Sequence, residues 1–404
     1  MIVKGKYGKA IVHADIFDES TKVQVKALLD QKFIKGSKVR IMPDCHSGTG
    51  CVIGTTMTIK KKVVPNLVGV DIGCGMLCVK LGKMDIDLAK LDEFIHKHIP
   101  AGQNVNDYIV DIDHKLEDLK CFDELKNVKY LKKSIGSLGG GNHFIEIDIA
   151  NDGSKYLIIH TGSRNLGCQV AQIYQDKAIL YHENKVFNKK EMREKIIKTY
   201  KAKGKEKEIQ KKLIEIAKME IKLSMPKELC YLEGKEFKDY MHDMHISQEF
   251  AKANRYEIAK RILGYLGLNI DELFSFETVH NYINMKDKIL RKGAISAYKN
   301  ETVLIPINMR DGCIVAKGKS NKNYNCSAPH GAGRLISRGK AMKTLSLDEY
   351  KKEMEGVFST TVNKNTLDES PMAYKPIESI INNISDTVDI IDIIKPIYNF
   401  KADE

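Results

Sequence analysis

The sequence predicts an α+β protein in which mixed β-sheets and helices surround a central cleft. Short β-like runs alternate with helical segments, and each kind also occurs in groups. The chain has 404 residues, of which 43% are hydrophobic, enough for one large domain or two to three ordinary ones. Histidine, cysteine and acidic side chains recur in turns after the β-like runs, where sites are usually built. We expect one large domain over residues 1–404.

The composition favours a polyanionic partner and a reducing compartment. Lys and Arg total 65 against 53 Asp and Glu, a formal charge of +12, which suggests nucleic acid, although an ordinary lysine-rich surface gives the same balance. Nine cysteines, an odd number without framework spacing, favour the cytoplasm. The first residues show no signal-peptide pattern, and no apolar run approaches the roughly 18 residues of a membrane span.

The first 70 residues predict a β-like piece at 10–12, a helix over 20–31 and a strand over 38–42. Asp44, Cys45 and His46 follow. Because neighbouring side chains alternate in an extended backbone, only Asp44 and His46 can share a face. We expect Asp44 to support a metal ligand from behind.

The segment VGVDIGCG at 68–75 is the first strong candidate for a site. A run of β-formers over 67–70 predicts a strand that leads into Asp71, and Cys74 lies between two glycines. Glycine permits a tight bend, so Asp71 and Cys74 could reach one metal ion. The alternative is a β-turn with a structural aspartate and a buried cysteine. A strand over 76–81 and helices over 88–98 and 113–125 come next.

Two further strand ends carry candidate residues. Four glycines within 136–141 lead to Asn142 and His143 and then to a strand containing Glu146, but the spacing is neither a P-loop nor a dinucleotide-binding fingerprint. The strand over 155–160 ends at His160. Arg164 follows, and its planar guanidinium is suited to clamping a phosphate.

The middle of the chain predicts helices. Residues 185–225 are rich in lysine and glutamate and are expected to form a solvated helical insertion. A second helix over 234–267 extends this helical region to about 265, and its Asn254 and Arg255 are expected to make hydrogen bonds on the core side.

The last third contains a histidine in an unusual setting. His280 lies in a β-like run, Lys292 precedes a glycine, and two strands are predicted over 303–318. His330 stands between Pro329 and Gly331, which lets a bulky group approach its ring. A helix from about 332 would project Arg334 and Arg338 from one face towards an anion. The alternative is that His330 caps or packs against that helix.

Thiolate, imidazole and carboxylate side chains are the usual ligands of transition metals. The candidate set could hold two ions with the thiolate shared between them, an arrangement suited to phosphoryl chemistry. His330 would then be free to act as a nucleophile, and the cations Arg164, Lys292, Arg334 and Arg338 would offset transition-state charge. The candidate metal ligands are Asp71, Cys74, His143, His160 and His280.

The motifs MPDCH, VGVDIGCG, GGGNHFIEI, HTGSR, HNY, RKGA, PHGAGR and PMAYK occur in this order. The ordered set resembles the RtcB-type RNA ligases, the GTP-dependent 3′-phosphate RNA ligases, over nearly the whole chain outside 185–225. The resemblance implies two Mn(II) ions in the cleft and GTP that guanylylates His330 through a P–N bond. GMP would pass to an RNA 3′-phosphate, which a 5′-hydroxyl attacks. A 2′,3′-cyclic phosphate would first be opened.

The resemblance also implies residue roles. Asp71, Cys74, His143, His160 and His280 match the metal ligands of the family, Glu146, Tyr374 and Lys401 its guanine contacts, and Asn142 and Arg334 its phosphate contacts. Arg164, Lys292 and Arg338 are expected on RNA phosphate. The full set expected at the nucleotide is Asn142, His143, Glu146, His280, Asn281, Asn308, Met309, Cys313, His330, Gly331, Gly333, Arg334, Tyr374 and Lys401.

One segment departs from the family pattern. The family has a small turn and two serines that contact the nucleotide, whereas this chain has Asn308, Arg310 and Cys313. Asn308 can still hydrogen-bond, Cys313 is a poorer donor, and Arg310 is expected to add bulk and charge beside the pocket. This favours, as the alternative, a metal-dependent RNA 3′-end phosphodiesterase or phosphatase that does not ligate. A third alternative is an RNA-binding relative without activity.

The resemblance makes an archease-type protein a candidate activating partner, and we expect a monomer or weak oligomer without a membrane partner. One thiolate with three imidazoles favours Zn(II) by affinity. Mn(II) is nevertheless expected to support activity, with Zn(II) binding and inhibiting.

Overall fold

The computed structural model describes residues 1–48 and 50–402, so Thr49, Asp403 and Glu404 of the predicted domain lie outside the described residues. Helices and strands are mixed along the chain, as the sequence predicts. The helices are α1 (Glu19–Leu29), α2 (Leu88–His98), α3 (Val128–Lys133), α4 (Asn165–Val186), α5 (Lys189–Ala202), α6 (Glu206–Lys218), α7 (Gly234–Tyr265), α8 (Arg338–Thr344), α9 (Leu347–Glu353) and α10 (Ile377–Ile384). The strands are β1 (Ile2–Lys4), β2 (Lys9–Val12), β3 (Val39–His46), β4 (Ile53–Thr58), β5 (Gly75–Gly82), β6 (Phe144–Ile149), β7 (Lys155–Thr161), β8 (Ser275–Val279), β9 (Asn281–Ile283), β10 (Ile289–Lys292), β11 (Ala294–Ser296), β12 (Thr302–Asn308), β13 (Gly312–Gly318), β14 (Ser327–Pro329) and β15 (Val388–Lys401).

Two large sheets and a short ribbon organise the described residues into a mixed α+β domain. A six-stranded sheet has the order β1-β2-β3-β4-β10-β9, a seven-stranded sheet has the order β12-β13-β15-β6-β7-β5-β8, and β11 pairs with β14. The strands of the seven-stranded sheet are antiparallel throughout. Strands β2 and β3 are parallel, with α1 as the crossover between them. The predicted fold class is confirmed.

Side chains on β6 point alternately to the two faces of the sheet, one facing the hydrophobic core and the other the side of the candidate site. Ile145 and Ile147 pack with residues of α2 and α7 in one hydrophobic cluster, whereas Phe144 belongs to a different cluster. Because successive side chains of a strand point to opposite faces, Glu146 and Asp148 share the face of Phe144. One face of this sheet is therefore covered by helices, and the other carries polar groups.

The helical insertion is solvated as predicted, because α5 buries none of its residues and α6 buries only Ile216. Helix α7 differs, since fourteen of its residues are buried. Helix α4, which precedes the insertion, was not predicted. Among the described residues, no helix combines the length and apolar character needed to cross a membrane.

Three local predictions are wrong. The expected strand at 67–70 is a 3-10 turn at Pro65–Leu67, followed by Gly69 at φ 109°, which interrupts an extended run. The expected helix at 113–125 is reduced to two 3-10 turns. Asp243 accepts the backbone N–H groups of Lys120 and Cys121 that a continuous helix would use.

The helix expected from residue 332 begins only at Arg338. Gly333 has φ 74°, outside the right-handed helical region, and Ser337 caps α8 through its side chain. A Cβ at Gly333 would lie 2.5 Å from the Asp44 carbonyl oxygen. The glycine therefore brings the segment after His330 against β3 and prevents the predicted helix.

Candidate active site

The candidate metal ligands converge at one end of the seven-stranded sheet because of its antiparallel register. The first residue of β5 pairs with the last residues of β7 and β8, and the first residue of β6 pairs near the end of β7. Strand starts and strand ends therefore meet at one edge. Cys74, His143, His160 and His280 each lie at or beside such a terminus, and a turn from Asp71 to Cys74 closes with a 3.2 Å backbone hydrogen bond.

These five side chains form two overlapping groups that share the thiol. Asp71, Cys74 and His143 form one group, and Cys74, His160 and His280 form the other, with ligand atoms within 4.8 Å of one another in each. The Cys74 Sγ lies 3.6 Å from His143 Nε2 and 3.4 Å from His160 Nε2. His143 Nε2 lies 3.2 Å from Asp71 Oδ2.

The imidazole rings are held in the form that binds a cation. His143 Nδ1 donates to the Leu138 carbonyl and His160 Nδ1 to the Asn142 carbonyl, each at 3.0 Å. A carbonyl can only accept, so both Nε2 lone pairs face the thiol. The Nδ1 of His280 is buried without a hydrogen-bond partner in the described chain. Burial lowers the pKa of His160 and of His280 well below 6.5, so both rings are neutral.

The chemistry of this donor set fits a pair of divalent cations. Burial, and then the charge of Asp71, raises the pKa of Cys74 well above its ordinary value. A bound cation displaces the proton of a coordinating thiol. The group offers oxygen, nitrogen and sulfur donors, and the Nδ1 of His280 has no hydrogen-bond partner in the described chain. Bound cations would satisfy these buried polar atoms.

Helix α7 holds the loops that carry these ligands. The Asn254 Oδ1 accepts the backbone N–H groups of Gly136 and Ser137 at 2.8 and 3.1 Å, and its Nδ2 donates to the Gly162 carbonyl at 3.1 Å. Arg255 Nη1 donates to the carbonyls of Gly73 and Thr161 at 2.9 and 3.0 Å. The expected core-side hydrogen bonds are confirmed, and they tie the segments before Cys74 and after His160 to one rigid element.

His330 lies beside the ligand groups, with its ring held by Asp44. The Asp44 Oδ2 accepts the Nδ1–H of His330 at 2.6 Å and its backbone N–H at 3.1 Å. The rings of His330 and His280 are 4.9 Å apart between centroids. Asp44 is fully buried, and its carboxylate supports His330 rather than any of the five candidate metal ligands in the described chain.

A cavity of about 380 Å³ lies between the two large sheets, within the range typical of small-molecule sites. His46 and Ile53 line it from the six-stranded sheet, and Phe144 lines it from the other. The predicted site residues that line it are Asp71, Cys74, Asn142, Glu146, His160, His280, Asn281, Lys292, Asn308, Met309, His330, Gly331, Gly333, Arg334, Arg338, Tyr374 and Lys401.

Four predicted residues lie behind the cavity wall: Asp44, His143, Arg164 and Cys313. Arg164 donates to the Ser137 hydroxyl at 2.9 Å and the Gly102 carbonyl at 2.8 Å. Its guanidinium therefore stabilises the glycine-rich loop at 136–141. Its contact with RNA stays a prediction. Cys313 is fully buried and groups with Glu146 and Asp148.

The turn that departs from the family pattern, at 308–311, forms hydrogen bonds within itself. The Asn308 side chain accepts the backbone N–H groups of Arg310 and Asp311 at 3.0 and 2.9 Å and donates to Asp311 Oδ2 at 2.8 Å. Arg310 pairs with Asp311 and Glu353 and is not among the described residues that line the cavity. The expected bulk of Arg310 is therefore directed away from the pocket.

Sequence reasoning missed Glu369, which joins the cations at the far end of the cavity. Its Oε1 accepts from Arg334 Nη1 at 3.1 Å and Arg338 Nη2 at 3.2 Å. Its Oε2 accepts from the Tyr374 hydroxyl at 2.5 Å and Lys401 Nζ at 3.2 Å. Although burial opposes it, the charges of Lys401, Arg338 and Arg334 lower the pKa of Glu369 to about 2. Its place two residues before the first residue of PMAYK in the sequence was the available signal.

The two ligand groups beside a carboxylate-held histidine define a candidate metal-dependent enzyme. A sequence model of the family described as "tRNA-splicing ligase RtcB" matches residues 24–129 and 114–402. The chain belongs to this family.

Several curated relatives are similar over most of the chain. "RNA-splicing ligase RtcB" of Escherichia coli strain K12 is 27% identical, covering 94% of this chain and 95% of the relative. "tRNA-splicing ligase RtcB" of Nanoarchaeum equitans is 26% identical over 84% and 83%. The protein of that name in Aeropyrum pernix is 25% identical over 92% and 90%. In each comparison the similarity covers more than four fifths of this chain and of the relative.

Proposed function

We propose that this chain, an RNA ligase by its family, joins an RNA 3′-phosphate or 2′,3′-cyclic phosphate end to a 5′-hydroxyl end with GTP and two Mn(II) ions. The observation that carries the proposal is the setting of His330. Its ring lies 4.9 Å from that of His280, on the wall of a cavity that also reaches Lys401. One space thus joins a nucleophile, a set of metal ligands and a cluster of cations.

His330 acts as the nucleophile through Nε2. Its Nδ1–H is donated to Asp44 at 2.6 Å, which fixes the tautomer and leaves the Nε2 lone pair available. Nε2 attacks the α-phosphorus of GTP, a P–N bond forms, and pyrophosphate leaves with the electrons of the broken P–O bond. GMP then passes to the RNA 3′-phosphate, and the 5′-hydroxyl attacks that phosphorus to release GMP.

Asp71, Cys74 and His143 would hold one cation, and Cys74, His160 and His280 would hold the other. Two cations there would offset the negative charge that develops on the reacting phosphate oxygens. The donor set favours Zn(II) by affinity. We propose Mn(II) for activity and expect Zn(II) to bind and inhibit. Metal-free protein that regains ligation with Zn(II) but not with Mn(II) would contradict this assignment.

Glu146, Tyr374 and Lys401 recognise the base, and Asn142 and Arg334 contact its phosphates. An ionised Glu146 accepts from both guanine N1–H and N2–H₂. Its Oε1 already accepts from Asn399 Nδ2 at 2.6 Å, which orients the carboxylate. Asn281, Asn308, Met309, Gly331 and Gly333 complete the wall of the pocket.

The RNA ends approach over the cationic residues Lys292 and Arg338, which line the cavity, with Arg164 behind them. Burial lowers the pKa of Lys292 to about 8, and an approaching phosphate would favour its charged form. The chain acts in tRNA splicing or RNA repair in a reducing cytoplasm, as a monomer or weak oligomer, and an archease-type protein is its candidate activator.

Incubation with α-labelled GTP and Mn(II) tests the proposal. Label should remain on the denatured protein, and it should be absent from His330→Ala. His46→Ala is the matched control, because His46 also lines the cavity and its Nδ1 contacts the Asp44 carbonyl at 3.1 Å. Label on His330→Ala would contradict the role of His330.

A second candidate function is RNA 3′-end phosphodiesterase or phosphatase activity without ligation. The observation in its favour is that Asn308 is engaged within its own turn and Cys313 lies behind the wall, so two nucleotide contacts of the family are altered. Absence of label in the unmodified protein, with cyclic-phosphate opening retained, would support this candidate against the ligase.

A further inference from the structure

A second group of metal-ligating side chains lies next to the cavity and apart from Cys74. Glu146 and Asp148 share one face of β6, and Cys313 lies on β13. One ligand atom from each falls within 4.8 Å of the others, and all three residues are buried. None of them belongs to the two groups that meet at Cys74.

Asp148 is the residue that demands an explanation. It is 0% exposed, and neither carboxylate oxygen has a hydrogen-bond partner in the described chain. A buried carboxylate without a partner costs several kcal/mol unless a cation or a proton neutralises it. The Lys401 ammonium forms an ion pair with Glu369 at 3.2 Å rather than with Asp148.

The groups that face Asp148 come from several strands, and their chemistry is that of metal ligands. Glu146 lies on β6, the same strand as Asp148, whereas Cys313 lies on β13 and Cys78 on β5. Cys78 packs in the same buried cluster as Cys313, so a second thiol lies close to the group. Two carboxylates and one thiol give three donors, and Cys78 would complete the four that a zinc-class ion prefers.

We propose that Glu146, Asp148 and Cys313 bind one further divalent cation of the zinc class, separate from the pair at Cys74. The ion neutralises the orphaned carboxylate and converts the buried thiol to thiolate, with release of its proton to solvent. Cys78 is the candidate fourth ligand. The site lies on the side of Glu146 away from the cavity, since Asp148 and Cys313 are absent from the wall.

The ion has a consequence for base recognition that rests on the proposed function. The Glu146 carboxylate lies on the cavity wall and also belongs to the group that would hold the ion. A cation bound on its far side would hold this carboxylate in a fixed orientation for guanine.

Cobalt titration of metal-free protein tests the site. The background variant is Cys74→Ser, so that thiolate-to-cobalt absorption reports only other cysteines. We expect one thiolate-bound Co(II) per chain in this background. Adding Asp148→Asn or Cys313→Ser should weaken Co(II) binding at least tenfold, whereas adding Cys230→Ser, a buried cysteine outside both clusters, should leave it unchanged. Absence of the band in the background, or unchanged affinity in both test variants, overturns the proposal.

A second measurement guards against misfolded variants and separates this inference from the proposed function. Crystals of the unmodified protein grown with Zn(II) should show an anomalous peak between Asp148 and Cys313, and absence of that peak overturns the inference. Cobalt binding without GTP labelling of His330 would support the further metal site and contradict the proposed ligase. GTP labelling without a cobalt band or zinc peak would support the ligase and contradict the further metal site.

Discussion

The two ends of the cavity differ in the charge that each is built to receive. At one end, neutral imidazoles and the Asp71 carboxylate surround the buried thiol of Cys74. At the other, Arg334, Arg338 and Lys401 surround the carboxylate of Glu369. The first end lacks positive charge and would take cations, whereas the second has an excess of it and would take anions. The metal–nucleotide complex proposed above would satisfy both ends at once.

The ends also differ in how they are held. Backbone carbonyls orient the rings of His143 and His160, and α7 fixes the surrounding loops through Asn254. The cationic end is joined mainly by the side chain of Glu369, which accepts from four groups, and Asp368 also pairs with Arg338 at 3.5 Å. We therefore expect substitutions at the thiol end to abolish chemistry, and substitutions at the cationic end to change stability and binding.

Removal of the shared thiol should have the largest effect. Cys74→Ala takes one donor from both ligand groups, so we expect loss of bound Mn(II) and a fall in ligation rate of at least about 10³-fold, the scale for lost electrostatic stabilisation. Metal content and single-turnover ligation measure it. Cys230→Ala, another buried cysteine, is the control, and comparable loss in both variants would point to misfolding.

Asp44→Asn should reduce guanylylation of His330 by about 10² or more, because an amide no longer selects the reactive tautomer. The dissociation constant for GTP should change little, since Asp44 lies behind the cavity wall. Rapid-quench labelling at saturating GTP separates the two quantities. A change in GTP affinity with an unchanged labelling rate would contradict the positioning role of Asp44.

Glu369→Gln should lower stability in a pH-dependent way. A pKa near 2 against an unfolded value near 4.3 corresponds to about 3 kcal/mol of stability above pH 4.3, lost as pH falls towards 2. For a chain of this size that is roughly 3–4 °C in the thermal midpoint at pH 7.

The difference between the variant and the unmodified protein should shrink below pH 4. Glu353→Gln, a half-exposed carboxylate that pairs with Arg310, should shift the midpoint by much less. A constant difference at every pH would contradict the assigned charge state of Glu369.

Arg338→Gln should have the smallest effect. Its side chain is 42% exposed, so its ion pair with Glu369 contributes little to stability. We expect RNA binding to weaken by less than about tenfold, with the salt slope reduced by about one and GTP binding unchanged. An unchanged salt slope would remove Arg338 from the RNA contacts.

Sequence reasoning reached the thiol end of the cavity better than the cationic end. Cys74, His143, His160 and His280 follow glycine turns or end β-like runs, and metal chemistry restricts the residue types. Their meeting depends on the register of the sheet, which the residues alone do not reveal but the resemblance implied. Arg334 and Arg338 were expected together on one helix. They do converge, but through Glu369, because Gly333 delays the helix.

The two helices in error have different causes, and Gly333 explains only the one expected from residue 332. At 113–125, the Asp243 carboxylate accepts backbone N–H groups from another part of the chain, and local periodicity carries no information about such a distant partner. The role of Asn254 in holding two loops, at Gly136–Ser137 and at Gly162, is likewise tertiary. Hydrogen bonds between distant segments therefore explain the error at 113–125, whereas glycines with positive φ, Gly69 and Gly333, explain the other two.

The central claim is that two cations share the Cys74 thiolate beside His330. Anomalous diffraction from a crystal soaked in Mn(II) tests it most directly. We predict two manganese peaks about 3.5–4 Å apart, one on each side of the Cys74 Sγ, with Asp71 and His143 at one and His160 and His280 at the other. A single peak that does not involve Cys74, or none near His330, would contradict the account.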